Sequence, residues 1–133
     1  MNNLESTSRS FNLPGIKKGM YMCWNIVTQC WNDVRVVIKD ECKTYVDETK
    51  PFTTSGNLTK LSMGDAFVQG DNLTIEFSST KSNSFDRSVS NGDITDAENN
   101  VIGHVTDICI EDNGGSIDFN DVYANIVAWN KQG

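Results

Sequence analysis

The sequence predicts an all-β protein, an antiparallel β-sandwich, and three observations carry that expectation. Residues 72–78 alternate strictly, placing Leu73, Ile75 and Phe77 on one side and Thr74, Glu76 and Ser78 on the other, as a half-buried strand requires. No segment keeps apolar residues at i, i+3, i+4 and i+7 over three turns, so helices are not expected. Several further short runs rich in β-branched and aromatic residues are separated by turn-forming residues, the spacing of a sandwich rather than of an α/β domain.

In chain order, residues 1–10 form a polar leader. Phe11-Asn12-Leu13 reads as a short strand ended by the Pro14-Gly15 turn. Residues 20–27 are apolar and aromatic, with Asn25 as the polar residue near the far end. Residues 33–40 are rich in Val and Ile and bounded by charges, which reads as a strand, and residues 42–46 are placed to pair with it. Residues 47–56 are polar with a proline and are expected to loop. Residues 58–61 read as a short strand, and residues 62–70 fit no single assignment. After the 72–78 strand, residues 79–100 turn to Ser, Asn, Asp and Gly. That region is expected to be loop-rich, with short strands near 87–90 and near Ile94. Residues 101–110 and 122–129 read as two longer core strands.

Composition narrows the functions available. At 133 residues the chain is the size of one domain with a sufficient core. A net charge of −7 argues against nucleic-acid or anionic-membrane partners, which require clustered Lys and Arg. Neutral ligands and cations remain. The absence of a long apolar run or of a basic, apolar N-terminal signal leads to an expectation of no membrane insertion and of cytoplasmic synthesis without a signal peptide, followed by release or surface association. Cys23, Cys30, Cys42 and Cys109 contain no CxxC pair, which argues against a zinc or redox motif. Cys109 is expected to be a buried free thiol, and a hairpin would bring Cys23 toward Cys30. His104, the single histidine, has no nucleophile motif beside it and reads as structural. Two Asn-x-Thr triplets, at Asn57 and Asn72, are too short to mean much without secretion.

The chemistry concentrates at residues 111–121. Glu111, Asp112, Asp118 and Asp121 crowd together with Asn113 and Asn120 around Gly114-Gly115, and no Lys or Arg lies among them. Drawing these acids together costs like-charge repulsion that a hard cation would cancel. Calcium takes six to eight oxygens at about 2.3–2.6 Å, and Glu111, Asp118, Asn120 and Asp121 supply such groups. The spacing and flanking strands are not those of an EF-hand. A solvated acidic turn is the plain alternative. The acids are too clustered for divided acid and base roles in glycoside hydrolysis, so an enzyme is not expected. Trp24, Trp31, Tyr123 and Trp129 have faces that stack on sugar rings, although core or interface placement is the ordinary fate of such residues.

These residues resemble the calcium-dependent fucose- and mannose-binding bacterial lectins of the LecB (PA-IIL) type. Phe11-Asn12-Leu13-Pro14 looks like that family's opening strand and turn. Glu111-Asp112-Asn113-Gly114 followed by Asp118-Phe119-Asn120-Asp121 looks like its acidic loop, and an apolar strand then leads to Trp129 and a terminal Gly133. The resemblance implies a Greek-key β-sandwich over residues 11–133, a lectin that binds neutral sugars or glycoconjugates through one or two Ca2+ ions, and a homo-oligomer, dimer or tetramer. It further implies Glu111, Asp118, Asn120 and Asp121 as metal ligands, with Asp118 and Asp121 bridging two ions. Asn25 is a further implied ligand, and the Gly133 carboxylate reaches a partner's site. Sugar contacts would come from Asp118, Asn120 and Asp121, with Ile26, Val27 and Thr28 standing where the family tunes sugar choice. This loop is one residue longer, and Ser116 falls where the family has a further aspartate. A similar run occurs in calcium-binding β domains of large bacterial surface proteins, so a structural calcium site without sugar binding is the competing expectation.

Overall fold

A computed structural model of the chain describes residues 7–54, 56–80, 85–112 and 121–131. Nine strands form two antiparallel sheets, and the described residues contain no helix. The strands are β1 (Thr7–Asn12), β2 (Tyr21–Thr28), β3 (Val34–Lys39), β4 (Thr44–Lys50), β5 (Thr59–Phe67), β6 (Thr74–Ser79), β7 (Phe85–Thr95), β8 (Val101–Asp112) and β9 (Val122–Trp129). One sheet has the order β1-β6-β3-β4 and the other β5-β2-β9-β8-β7.

Alternation builds the core. Met22, Trp24, Ile26 and Thr28 of β2 point inward, and so do Val122, Ala124, Ile126 and Ala128 of β9 and Ile108 and Ile110 of β8. Against them the smaller sheet sets Val34, Val36 and Ile38 of β3 and Ile75 and Phe77 of β6. Leu73, Ile75 and Phe77 are all buried, as their spacing predicts. Each such side chain contributes roughly 1.5–3 kcal/mol on leaving water. Gly64 on β5 lies opposite Trp24, where a Cβ would sit 2.5 Å from the indole ring, so the sheet needs a glycine there. The indole Nε1 then donates to Ser62 Oγ at 3.0 Å.

Four elements differ from the sequence expectations. β1 starts at Thr7, inside the expected leader, because residues 7–12 pair with β6 along their whole length. β4 continues to Lys50, taking the first part of the expected 47–56 loop. β5 runs unbroken through the unassigned region to Phe67. The Ser- and Asn-rich region, expected as loop with short strands near 87–90 and near Ile94, holds one continuous eleven-residue strand, β7, paired to β8 from Phe85 to Thr95. It is an edge strand with mostly exposed side chains, so hydrogen bonding rather than an apolar stripe defines it.

All four cysteines are free. Cys23 faces outward from the middle of β2, while Cys30 is buried beyond the strand's end, so the hairpin pairing does not form. Cys109 is half-buried on the outer face of β8 rather than in the core, and burial, with Asp107 nearby, raises its thiol pKa. His104 keeps a structural position, with Nδ1 3.3 Å from Asp93 Oδ1 and its ring packed over Gly15.

Candidate functional site

The acid-rich segment connects β8 to β9, and antiparallel pairing brings its two ends together. Ile110 pairs with Val122, and Val122 pairs with Thr28, so the last row of the larger sheet runs across β8, β9 and β2. One residue beyond that row stand Glu111, Asp121 and Gln29. The Asp121 main chain is tied to both neighbouring strands. Asp121 N donates to Ile110 O at 3.0 Å, and Gln29 N donates to Asp121 O at 2.8 Å. Glu111 is 4% exposed, the one acid among the buried polar residues described. Asp121 is half-buried. A buried carboxylate is costly unless its charge is compensated.

Of the other residues expected at the site, Asp118, Asn120 and Gly133 lie outside the described residues. Asn25 does not join Glu111 and Asp121. It pairs with Asn125, four residues along β9 from Asp121 and therefore about 13 Å away along the strand. There it belongs to a polar patch on the outer face, where Asn125 Nδ2 donates to Asp107 Oδ1 at 2.7 Å and Tyr123 Oη donates to the same oxygen at 3.3 Å. Ile26 and Thr28 are corrected as sugar-contacting side chains, because strand alternation turns both into the sandwich, at 0% and 1% exposure. The Thr28 hydroxyl is buried without a hydrogen-bond partner. Val27 is half-buried on the outer face, opposite Tyr123.

Sequence reasoning missed the turn that follows β2. Cys30 is buried and anchors it, with Sγ 3.5 Å from Asn32 O. Trp31 O accepts from Thr53 N at 2.8 Å and from Lys50 Nζ at 3.1 Å, and Asn32 O accepts from Lys50 Nζ at 2.9 Å. Lys50 is itself buried. Asp33 accepts from Ser79 Oγ at 3.1 Å and from Thr80 N at 3.0 Å. Burial pushes the Asp33 carboxyl upward, but these hydrogen bonds outweigh it and hold the group below the usual carboxylate range. Every residue from 29 to 33 is thus fixed, yet the Trp31 side chain is 54% exposed. Only the tertiary structure separates Trp31 from Trp24, which is buried.

Among the described residues no group of three or more His, Cys, Asp or Glu converges as a metal site. A cleft of about 570 Å³ opens at the opposite end of the sandwich, lined by Asn12, Lys17, Glu41, Asp71 and Asn72. Its Glu41 is occupied by a hydrogen bond from Asn72 Nδ2 at 2.7 Å. Among the described residues no helix is long and apolar enough to cross a membrane.

No protein-family model matches the chain, and no curated protein matches its sequence. Solved structures share its fold. A high-affinity mannose-binding lectin from Ralstonia solanacearum superposes with a TM-score of 0.59 at 13% identity, over 89% of this chain and 93% of that one. A Chromobacterium violaceum lectin in complex with α-methyl-fucoside gives 0.58 at 13% identity over the same shares. The C-terminal domain of a Burkholderia cenocepacia lectin gives 0.61 at 18% identity, over 97% of this chain and 100% of that domain. The likeness read from the two ends of the sequence therefore extends across the whole fold.

Proposed function

We propose that the chain is a calcium-dependent carbohydrate-binding protein whose site lies at the β8–β9 end of the larger sheet. One observation carries this reading. Glu111 and Asp121 flank the acid-rich segment in a single row at the sheet end, in a fold shared with mannose- and fucoside-binding lectins. The donor chemistry fits a calcium ion, since both side chains offer hard oxygens. Glu111, Asp118, Asn120 and Asp121 would hold the ion. When bound, calcium supplies a centre to which paired hydroxyls of a neutral sugar coordinate. Around it, Asp118, Asn120 and Asp121 accept hydrogen bonds from those hydroxyls, and the fixed Gln29 and Asp121 main chains keep the ligands in register. No covalent step is required.

A structural calcium site without sugar binding is the second reading, favoured by the tie that Asp121 makes to both neighbouring strands. A glycan array with and without a chelator separates the two. Chelator-sensitive sugar binding supports the lectin, whereas chelator-sensitive melting with a blank array supports the structural ion. Asp118→Ala is expected to abolish calcium binding in titration calorimetry, and retained calcium affinity would refute the ligand assignment.

A further inference from the structure

We infer that Trp31 is a stacking platform for a second sugar ring, one residue further along a glycan whose first ring binds at the Glu111–Asp121 end. The inference rests on the sugar-binding reading and extends it from a monosaccharide to an oligosaccharide ligand.

Location is the first argument. Gln29 N is bonded directly to Asp121 O, and Trp31 follows Gln29 by two residues, at most about 7 Å of chain. The Trp31 backbone is therefore held within two residues of the Gln29–Asp121 bond, with its side chain exposed, whereas Trp24 is inside the sandwich. The second argument is that the exposed indole does not hold the turn. The carbonyl of Trp31 accepts from Thr53 and Lys50, Cys30 supplies the buried anchor, and Asp33 ties the turn to β6. With the backbone so restrained, the side chain is left 54% exposed, and the edge at its Nε1 runs beside Gly56, whose missing Cβ would lie 3.7 Å away.

The third argument is energetic. An exposed apolar side chain on a mobile loop needs no explanation. A tryptophan on a fully hydrogen-bonded turn is different, because its backbone ordering has already been met by folding and little entropy remains to be lost on binding. Pyranose rings carry a C–H face that matches an indole face in shape and polarity. Phe52, 46% exposed, precedes Thr53, whose amide bonds the Trp31 carbonyl, and adds exposed apolar surface near the turn.

The test compares wild type, Trp31→Ala and Trp31→Phe in calcium, titrated with methyl mannoside, methyl fucoside and oligosaccharides that carry these sugars at the end. Wild type is expected to bind the best oligosaccharide about tenfold more tightly than its terminal monosaccharide. Trp31→Ala should lose that increment while holding monosaccharide affinity within twofold, and Trp31→Phe should keep part of it. Oligosaccharide binding should also quench tryptophan fluorescence in wild type and not in Trp31→Ala. Monosaccharide binding with no oligosaccharide preference, or a preference that survives in Trp31→Ala, would overturn the platform alone. Failure of wild type to bind any sugar would overturn the sugar-binding reading and the platform with it. Unchanged melting temperatures of the two variants certify that folding is not the cause.

Discussion

Thr28→Val exchanges a buried hydroxyl for a methyl of nearly the same shape, and its effect follows from one observation. Thr28 is 1% exposed, and its Oγ1 has no hydrogen-bond partner. Burying an uncompensated hydroxyl costs about 1–3 kcal/mol in proteins, while valine packs the same space and favours a strand equally well. The variant is therefore expected to be more stable by about 1–2 kcal/mol. With an unfolding entropy of about 2.1 cal/mol/K per residue, a chain of this length gains roughly 3–4 °C per kcal/mol, which predicts a rise of about 4–7 °C. Urea melts and calorimetry, each in excess calcium and in excess chelator, would measure it, and the m-value should not change. Sugar affinity should also be unchanged, since the hydroxyl faces the core. A loss of stability would show that the hydroxyl has a partner and refute the argument. A loss of sugar affinity at unchanged stability would return Thr28 to the binding surface.

Two further outcomes follow from the packing and the charges. Gly64→Ala should cost about 1–3 kcal/mol in a urea melt, because the new methyl meets the Trp24 ring, and the emission of that tryptophan should shift. Asp40 accepts hydrogen bonds from the Tyr45 hydroxyl and from the amides of Cys42, Lys43 and Gly70. Burial opposes ionisation here, but these donors prevail and depress its pKa, while burial and the bond to Asp40 push Tyr45 up to about 12. A carboxyl with a depressed folded pKa stabilises the protein above its unfolded value of about 3.9, and that contribution is lost as pH falls through the lower folded value. Melting curves taken from pH 6 downward should show this loss, and Asp40→Asn should flatten it. An unchanged acid limb in the variant would assign the loss to other carboxylates.

The parts of the fold legible in the sequence are those where one face of a strand is buried. Leu73, Ile75 and Phe77 announce β6 because the other face stays polar. β8 and β9 were readable for the same reason, and with them the position of the acidic segment between paired strands. β7 was legible only as two short pieces, near 87–90 and near Ile94, since an edge strand with Asp86, Arg87, Ser88 and Ser90 exposed is held by its ladder to β8 and leaves no continuous apolar stripe. At the site, Glu111 and Asp121 were identified from chemistry, and the antiparallel register puts them in one row. Ile26 and Thr28 were assigned by resemblance against the evidence of their own alternation, for Met22, Trp24, Ile26 and Thr28 already described one inward face. Trp31 and Lys50 had no local signal. The exposure of a turn tryptophan and the burial of a strand-end lysine are set by distant partners, here Thr53 and Lys50 for the Trp31 carbonyl and Trp31 and Asn32 for Lys50.

The chain of amides from Gln29 to Asp121 to Ile110 makes the candidate site part of the sheet rather than an appendage to it. Three adjacent strands, β2, β9 and β8, meet in those two bonds, which add one more rung at the end of the larger sheet. The amides of Gln29 and Asp121, both donors in those bonds, should consequently exchange with solvent more slowly than unbonded turn amides.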